Sequence, residues 1–289
     1  MDVVKIFDGL GNQMFQYAFA RKLQINKGRE VYLDTRFINN EDGIVHNENL
    51  NSRSKFDLRS YELDKFKIKL PVADNDILKH WQYLSKSGSF SHEVYKLAKI
   101  GLWPYKYSNE RFTKICMDSI LPTYYRGHFF KLSYYDDIKT ILQKEFVLKE
   151  KIRLPAALKK ILNNDNTVSI HVRRGDYVKL HKEISNKVYY PKALELMAQK
   201  VDKPTWLFFS DDIEWVKKYF KTDGKTVYVS DMGFQDYEEL MIMKHCKHHI
   251  ITNSTFSYWG AYLNPNPDKV IVCPKIWQAD VIPEEWIRL

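Results

Sequence analysis

From residue 167 onward, apolar runs of strand length alternate with segments of helical period, and this alternation confines the second half of the chain to an α/β sheet. Thr167–Val172, Thr205–Phe209, Thr226–Val229, His249–Thr252 and Lys269–Cys273 read as short strands. Between them, Pro191–Val201, Ile213–Phe220, Asp236–Cys246 and Thr255–Leu263 carry apolar residues three and four apart, as Leu240, Met243 and Cys246 do. Strands joined through helices pair in parallel, so the expectation is a doubly wound parallel sheet. Ligands of such sheets bind outside the carboxyl ends of the strands. The residues that follow each strand are therefore the first candidates for a site.

The strongest of these is Ser169-Ile170-His171-Val172-Arg173-Arg174-Gly175-Asp176-Tyr177, where a β run empties into two arginines, a glycine and an aspartate. Forked guanidiniums match phosphate oxygens, and glycine lets a backbone turn or approach closely, so the pattern points to a diphosphate. The alternative is a pair of solvated loop arginines balanced by Asp176. After the later strands come Ser210-Asp211-Asp212, then Ser230-Asp231, then Asn253-Ser254-Thr255, which also opens a helix. A helix start with hydroxyls either holds an anion or simply caps itself. Asp211 and Asp212 could be metal ligands, but Asp212 could equally cap the next helix, and arginines can neutralise a diphosphate without a metal.

Composition narrows the function classes. The chain has 289 residues, 44% hydrophobic and 15% aromatic, which suits two globular domains. No apolar run approaches the roughly 20 residues that span a bilayer. Met1–Phe7 is too short for a secretory signal and reads as a first strand. Cys116, Cys246 and Cys273 are widely spaced, which implies free buried thiols and a cytoplasmic setting. The net charge of +9 is spread as lysines at amphipathic intervals, with no nucleic-acid module; it would also suit loose, peripheral contact with an anionic membrane.

The N-terminal half begins with strand Val3–Phe7, the turn Asp8-Gly9-Leu10-Gly11-Asn12-Gln13, an amphipathic helix and a strand at Glu30–Leu33. The glycines fall short of a dinucleotide fingerprint. Helices are expected around Asp74–Leu84 and Glu93–Ile100, and Tyr124-Tyr125 and Tyr134-Tyr135 are aromatic clusters of unassigned role. A linker at about 150 to 165 divides the chain into residues 1–155 and 156–289.

Taken together, Gly9-Leu10-Gly11-Asn12-Gln13-Met14-Phe15-Gln16-Tyr17-Ala18, His171–Tyr177, Phe209-Ser210-Asp211-Asp212 and Asn253-Ser254-Thr255-Phe256-Ser257-Tyr258-Trp259-Gly260-Ala261 strongly resemble the bacterial α-1,2-fucosyltransferases, glycosyltransferase family 11. The resemblance runs from residue 3 to about 275. It implies a GT-B-like fold of two Rossmann-type domains, an acceptor-side N-terminal one and a nucleotide-sugar-binding C-terminal one. It implies an inverting transfer of L-fucose from GDP-fucose to a galactoside 2-hydroxyl, with no metal and no other cofactor. The acceptor would be a galactose-terminated oligosaccharide or lipid-linked glycan, as in O-antigen synthesis. Arg173 would contact the donor diphosphate, Arg174 and Asp176 would structure the same loop, and Asn253, Ser254 and Thr255 would add donors to the phosphates. Ser210 and Asp211 belong to the same donor rim. Asn12 would lie near the transferred sugar, and Glu239 would accept from guanine unless it is an ordinary helix-surface glutamate. Asp8 departs from the glycine common in the family, Tyr258 from a tryptophan, and Tyr124–Phe130 only partly follows the family's central segment.

A base for the acceptor hydroxyl, which an oxocarbenium-like sugar could make unnecessary, would come from Asp176, His181 or Glu183, the carboxylates and imidazole nearest the arginines. His245, His248 and His249 lack the spacing and partner ligands of a metal site and read as structural. Competing functions are a GT-B enzyme using GDP-mannose or a UDP-sugar, and a basic glycan- or nucleic-acid-binding protein without turnover.

Overall fold

The computed structural model describes residues 1–39, 60–84, 89–112, 114–180, 184, 187–277 and 279–289. It divides into two compact units, Met1–Phe146 and Val147–Leu289.

In the first unit, β1 (Asp2–Lys5) leads through α1 (Leu10–Lys27) to β2 (Val31–Asp34). Helix α1 buries Met14, Phe15, Ala18, Phe19 and Leu23 along one stripe. It stops at Gly28, whose left-handed backbone (φ 61°) lets its N–H reach the Gln24 carbonyl. Then follow α2 (Asn75–Leu78), capped by the Asp74 carboxylate on the Ile77 N–H, α3 (Ser89–Ile100), β3 (Lys106–Asn109), β4 (Thr123–Arg126) and α4 (Lys139–Glu145). All strand pairs are parallel, in the order β2-β1-β4-β3. The helix expected over Asp74–Leu84 is α2 followed by a 3-10 segment bent at Trp81 (φ −116°), which buries its ring against Tyr105 and Tyr124. The Tyr124-Tyr125 pair is strand β4.

The second unit starts with α5 (Ala156–Asn164). This corrects the linker expected at 150–165, because Leu158 and Ile161 are spaced to bury on one helical face and do so. Next come β5 (Thr167–Val172), α6 (Gly175–Lys179), α7 (Tyr189–Lys200), β6 (Thr205–Ser210), α8 (Ile213–Tyr219), β7 (Thr226–Tyr228), α9 (Asp236–His245), β8 (His248–Ile250), α10 (Thr255–Tyr262), β9 (Ile271–Cys273) and β10 (Ile287–Arg288). The six strands are parallel in the order β10-β9-β8-β5-β6-β7. This is the doubly wound sheet expected, with β10 added at one edge. Its chain winds outward from β5 in one direction and from β8 in the other. Each unit, taken by itself, is the Rossmann-type parallel layer that a GT-B-like chain needs.

Both faces of the larger sheet are covered. Val168, Ile170, Val172, Trp206 and Phe208 pack on one side with Tyr190, Ala193 and Met197 of α7, and Leu207 and Phe209 pack on the other with α5 and with Ile242 and Met243 of α9. Of the three free cysteines, Cys246 and Cys273 are buried as expected, whereas Cys116 is exposed, since it lies in the irregular run before β4 rather than in a core element. Among the described residues no helix is long and apolar enough to cross a membrane.

Helices α9 and α10 meet at Gly260, where a Cβ would fall 2.6 Å from Met243 Sδ and 3.2 Å from its Cβ. Gly260→Ala is expected to cost about 1–3 kcal/mol through overpacking, read as a lowered thermal midpoint; an unchanged midpoint would show that Met243 yields freely.

Candidate active site at the carboxyl edge of the second sheet

Strand β5 is buried along all six residues, so its first charge appears only where the strand ends. There Arg173 donates from Nη1 to Asp211 Oδ2 at 3.1 Å, and its guanidinium lies 5.6 Å from the Tyr177 ring. The other Asp211 oxygen accepts the Arg174 backbone N–H at 2.8 Å. Gly175 is required at this approach, because a Cβ would come within 2.6 Å of Asp211 Oδ2. Arg174 turns away: its Nε meets Asp212 at 3.1 Å and its guanidinium stacks 3.7 Å over the Trp215 ring. Asp212 also accepts from the Trp215 N–H and caps α8. The two aspartates are thus partners of arginines and a helix end, and among the described residues no three His, Cys, Asp or Glu gather as a metal would need.

The hydroxyls of the rim are interlinked. Ser210 Oγ accepts from the Asp212 N–H, and Ser230 Oγ accepts from the Ser210 N–H, both at 3.0 Å. Glu239, on α9, is half-buried beside Ser230, and burial pushes its carboxyl up to about 7 despite that hydrogen bond. It is not the solvated helix-surface glutamate of the alternative reading. Across the sheet, Ser254 caps α10 through the Phe256 N–H at 3.4 Å, Thr255 opens the helix, and the Asn253 carbonyl accepts from Tyr177 OH at 3.2 Å. Asn253 Oδ1 accepts from Thr252 Oγ1.

β5 and β8 are neighbours whose continuations leave for opposite faces, the first to α7 and the second to α10. This is the topological switch point of a doubly wound sheet. Arg173 and the Asn253–Thr255 turn flank it, while Asp211, Ser210 and Glu239 line the side towards β6 and β7. Asp176 lies on the short helix α6; only its backbone is described. His181 and Glu183 lie outside the described residues. Asn12 is in the first unit, on the opening turn of α1, with Nδ2 3.4 Å from Asp8 Oδ2.

One residue of the rim was passed over by sequence reasoning. His171 points to the polar face of β5, its ring 5.5 Å from Phe256, and its buried Nδ1 has no hydrogen-bond partner. The signal was present in the alternation of Ser169 and His171 with Ile170 and Val172. The histidine cluster is structural as expected: His249 Nδ1 meets Ser169 Oγ at 2.7 Å and its Nε2 accepts from Asn264, while His248 Nδ1 accepts from the Val270 N–H.

The family model described as Glycosyl transferase family 11 matches residues 2–286. The chain belongs to glycosyltransferase family 11. This chain is similar to several named proteins over most of its length. It is 29% identical to the O-antigen biosynthesis glycosyltransferase WbnK of Escherichia coli, over 97% of this chain and 98% of that one. It is 27% identical to an α-1,2-colitosyltransferase of the same organism, over 99% and 98%. It is 25% identical to the mouse galactoside 2-α-L-fucosyltransferase Sec1, over 91% of this chain and 64% of that protein.

Burial holds both His171 and His249 near 3, well below the ordinary imidazole value. The unfolded chain therefore binds protons that the native protein excludes, and stability present above about pH 6.5 is lost as pH falls towards 3. Urea midpoints measured between about pH 7 and pH 4.5 are expected to fall progressively. A flat midpoint would show that neither imidazole is buried neutral.

Proposed function

We propose that this family 11 protein is an inverting, metal-independent fucosyltransferase that moves L-fucose from GDP-fucose to the 2-hydroxyl of a galactose-terminated oligosaccharide or lipid-linked glycan. The observation that carries this reading is Arg173 held by Asp211 at the switch point of a doubly wound sheet, opposite the hydroxyl-bearing start of α10. The relatives named as galactoside 2-fucosyltransferase and O-antigen glycosyltransferase supply the substrate class.

In this reading the diphosphate lies between Arg173 and the Asn253–Thr255 turn, where backbone N–H groups and the helix dipole favour an anion. As the anomeric C1–O bond breaks, its electron pair leaves with GDP, and the guanidinium meets the growing charge from a preorganised position. The acceptor oxygen bonds to the opposite face of C1, which inverts the configuration. Asp211 keeps Arg173 aimed, and Arg174, spent on Asp212 and Trp215, stiffens the loop. His171 Nδ1, a buried polar atom without a protein partner, offers a contact to the nucleotide. Glu239 accepts from guanine N1 and N2. Peripheral contact of the basic surface with an anionic leaflet would bring the enzyme to lipid-linked acceptors.

A second donor is favoured by one comparison. The 27% identity to an α-1,2-colitosyltransferase over 99% of the chain makes colitose, which lacks one hydroxyl of fucose, the alternative sugar. Nucleoside-diphosphate release measured with GDP-fucose, GDP-colitose or UDP-sugars and a panel of β-galactosides, with and without EDTA, separates the donors. Acceptor-dependent, EDTA-insensitive turnover is expected; turnover with UDP-sugars alone would overturn the donor assignment.

Arg173→Ala is expected to lower turnover by about 100-fold or more, and activity within a few-fold of wild type would remove the arginine from this role. Because Glu239 must be ionised to accept from guanine, the KM for GDP-fucose is expected to rise as pH falls below about 7. Glu239→Gln is expected to raise KM and flatten that dependence; an unaltered profile in the variant would assign the titration elsewhere.

A further inference from the structure

Among the described residues, four of the five most exposed large apolar side chains fall between Ile100 and Ile120 in the first unit, in a stretch that the transfer chemistry does not use. Ile100 is 68% exposed, Leu102 71%, Phe112 62% and Ile120 88%. Leu97, one turn before Ile100 on α3, adds a fifth. Scattered singly, exposed apolar residues need no explanation, but these are drawn together. Lys99 Nζ lies 5.8 Å from the centre of the Phe112 ring, and a Cβ on Gly101 would come within 4.0 Å of Leu121 Cδ1. The end of α3, the turn after β3 and the run before β4 therefore meet. Trp103 and Tyr105, both partly exposed, stand in the same run as Leu102.

The backbone under these side chains is tied down. Helix α3 ends at Gly101, whose left-handed φ of 78° lets the Leu102 N–H reach the Leu97 carbonyl at 2.9 Å. Arg29 donates to the carbonyls of Ser119, Ile120 and Leu121 at 2.8, 3.0 and 3.2 Å. The same guanidinium is anchored on the fully buried carboxylate of Asp2, which also accepts the Thr123 N–H. Ile120 is thus held out into water by a pinned loop.

The charges around the patch are mostly positive. Between Glu93 and Leu121 stand five cations, Lys96, Lys99, Lys106, Arg111 and Lys114, against the carboxylates of Glu93, Glu110 and Asp118. Two of those carboxylates are engaged, Glu93 by Lys96 at 3.0 Å and Glu110 by the N–H groups of His128 and Phe129. Lys99 and Arg111 both lie over the Phe112 ring, Arg111 at 5.6 Å. Protruding apolar tips bordered by long basic side chains match the boundary of an anionic bilayer. The tips enter the acyl region while ammonium and guanidinium groups stay among the phosphates. A bilayer also needs no complementary groove, whereas a second copy of this chain would bring the same cations face to face.

We propose that Ile100 and Leu102 at the end of α3, with Phe112 and Ile120, form a docking surface for an anionic lipid bilayer. It deepens the peripheral contact named with the proposed function, and it rests on that reading for its purpose, the approach to lipid-linked acceptors. A diffuse basic surface is replaced by an apolar patch with a cationic border, so attachment has a part that salt does not screen.

The test is co-sedimentation of the full chain with vesicles of phosphatidylcholine, alone or with about 30% phosphatidylglycerol, at about 0.15 M salt. Binding to the anionic vesicles and little to the neutral ones is expected. Leu102→Asp combined with Ile120→Asp is expected to weaken that binding by about tenfold or more. The thermal midpoint is expected to stay unchanged, since both side chains already stand in water. Lys99→Glu combined with Lys114→Glu is expected to weaken binding by about tenfold as well. Wild type that stays in the supernatant overturns the proposal. An aspartate double variant that binds within about twofold of wild type also overturns it, assigning the contact to diffuse positive charge. Self-association of the wild type without vesicles, abolished by that same variant, overturns it in favour of a second copy. GDP release with GDP-fucose and soluble lactose, without vesicles, is expected to be equal in wild type and both variants. Its absence from all three would overturn the fucosyl transfer and leave the docking surface standing.

Discussion

The burial of β5 on both faces is the constraint from which the second unit follows. All six of its residues are covered, so the polar groups along it, His171 Nδ1 excepted, find their partners inside the protein. Ser169 does so through His249 and Asn264, and Tyr190 OH reaches the His171 carbonyl. Charge is admitted only at the strand's end, where one carboxylate, Asp211, holds the side chain of Arg173 and the backbone of Arg174 at once. Without that carboxylate two adjacent guanidiniums would repel and the loop would lose its anchor. The glycine after them exists because Asp211 comes so close.

The first unit uses the same architecture with different chemistry. Its core is tied by α1, whose Phe19 stacks on Phe129 and whose Tyr17 and Arg21 both engage Glu145 at the end of α4. Burial and that carboxylate raise the Tyr17 hydroxyl well above its ordinary range, so it stays a donor. The outcome is a rim of aromatic rings beside the Asp8–His128 pair, where the second unit carries arginines and the start of α10.

How much could be read beforehand depended on length and periodicity. The strands of the second unit are apolar runs separated by helices of clear period, and their order in the sequence matched their order as elements. β3 and β4 of the first unit were missed because Lys106–Asn109 and Thr123–Arg126 are four polar or aromatic residues each, with no alternation to mark them. β10 is two residues long and exists only because β9 lies beside it. At the donor rim, Arg173, Asp211 and the Asn253–Thr255 turn were legible as residues that follow strands. The unpaired His171 Nδ1 and the half-burial of Glu239 depend on what packs above them and carry little local signal.

The sequence by itself determined the class of this protein. Alternating strands and helices dictate a parallel sheet, parallel sheets place ligands at their carboxyl ends, and an Arg-Arg-Gly-Asp exit sets two guanidiniums at one of those ends. Only the tertiary structure decided which groups are spent and which remain available. Arg174 is consumed by Asp212 and Trp215, and the three histidines near residue 248 by the backbone and a buried serine, whereas Asp8 and His128, 120 residues apart, meet across neighbouring strands. Pairings of that kind follow from strand order and backbone conformation, which local pattern does not encode.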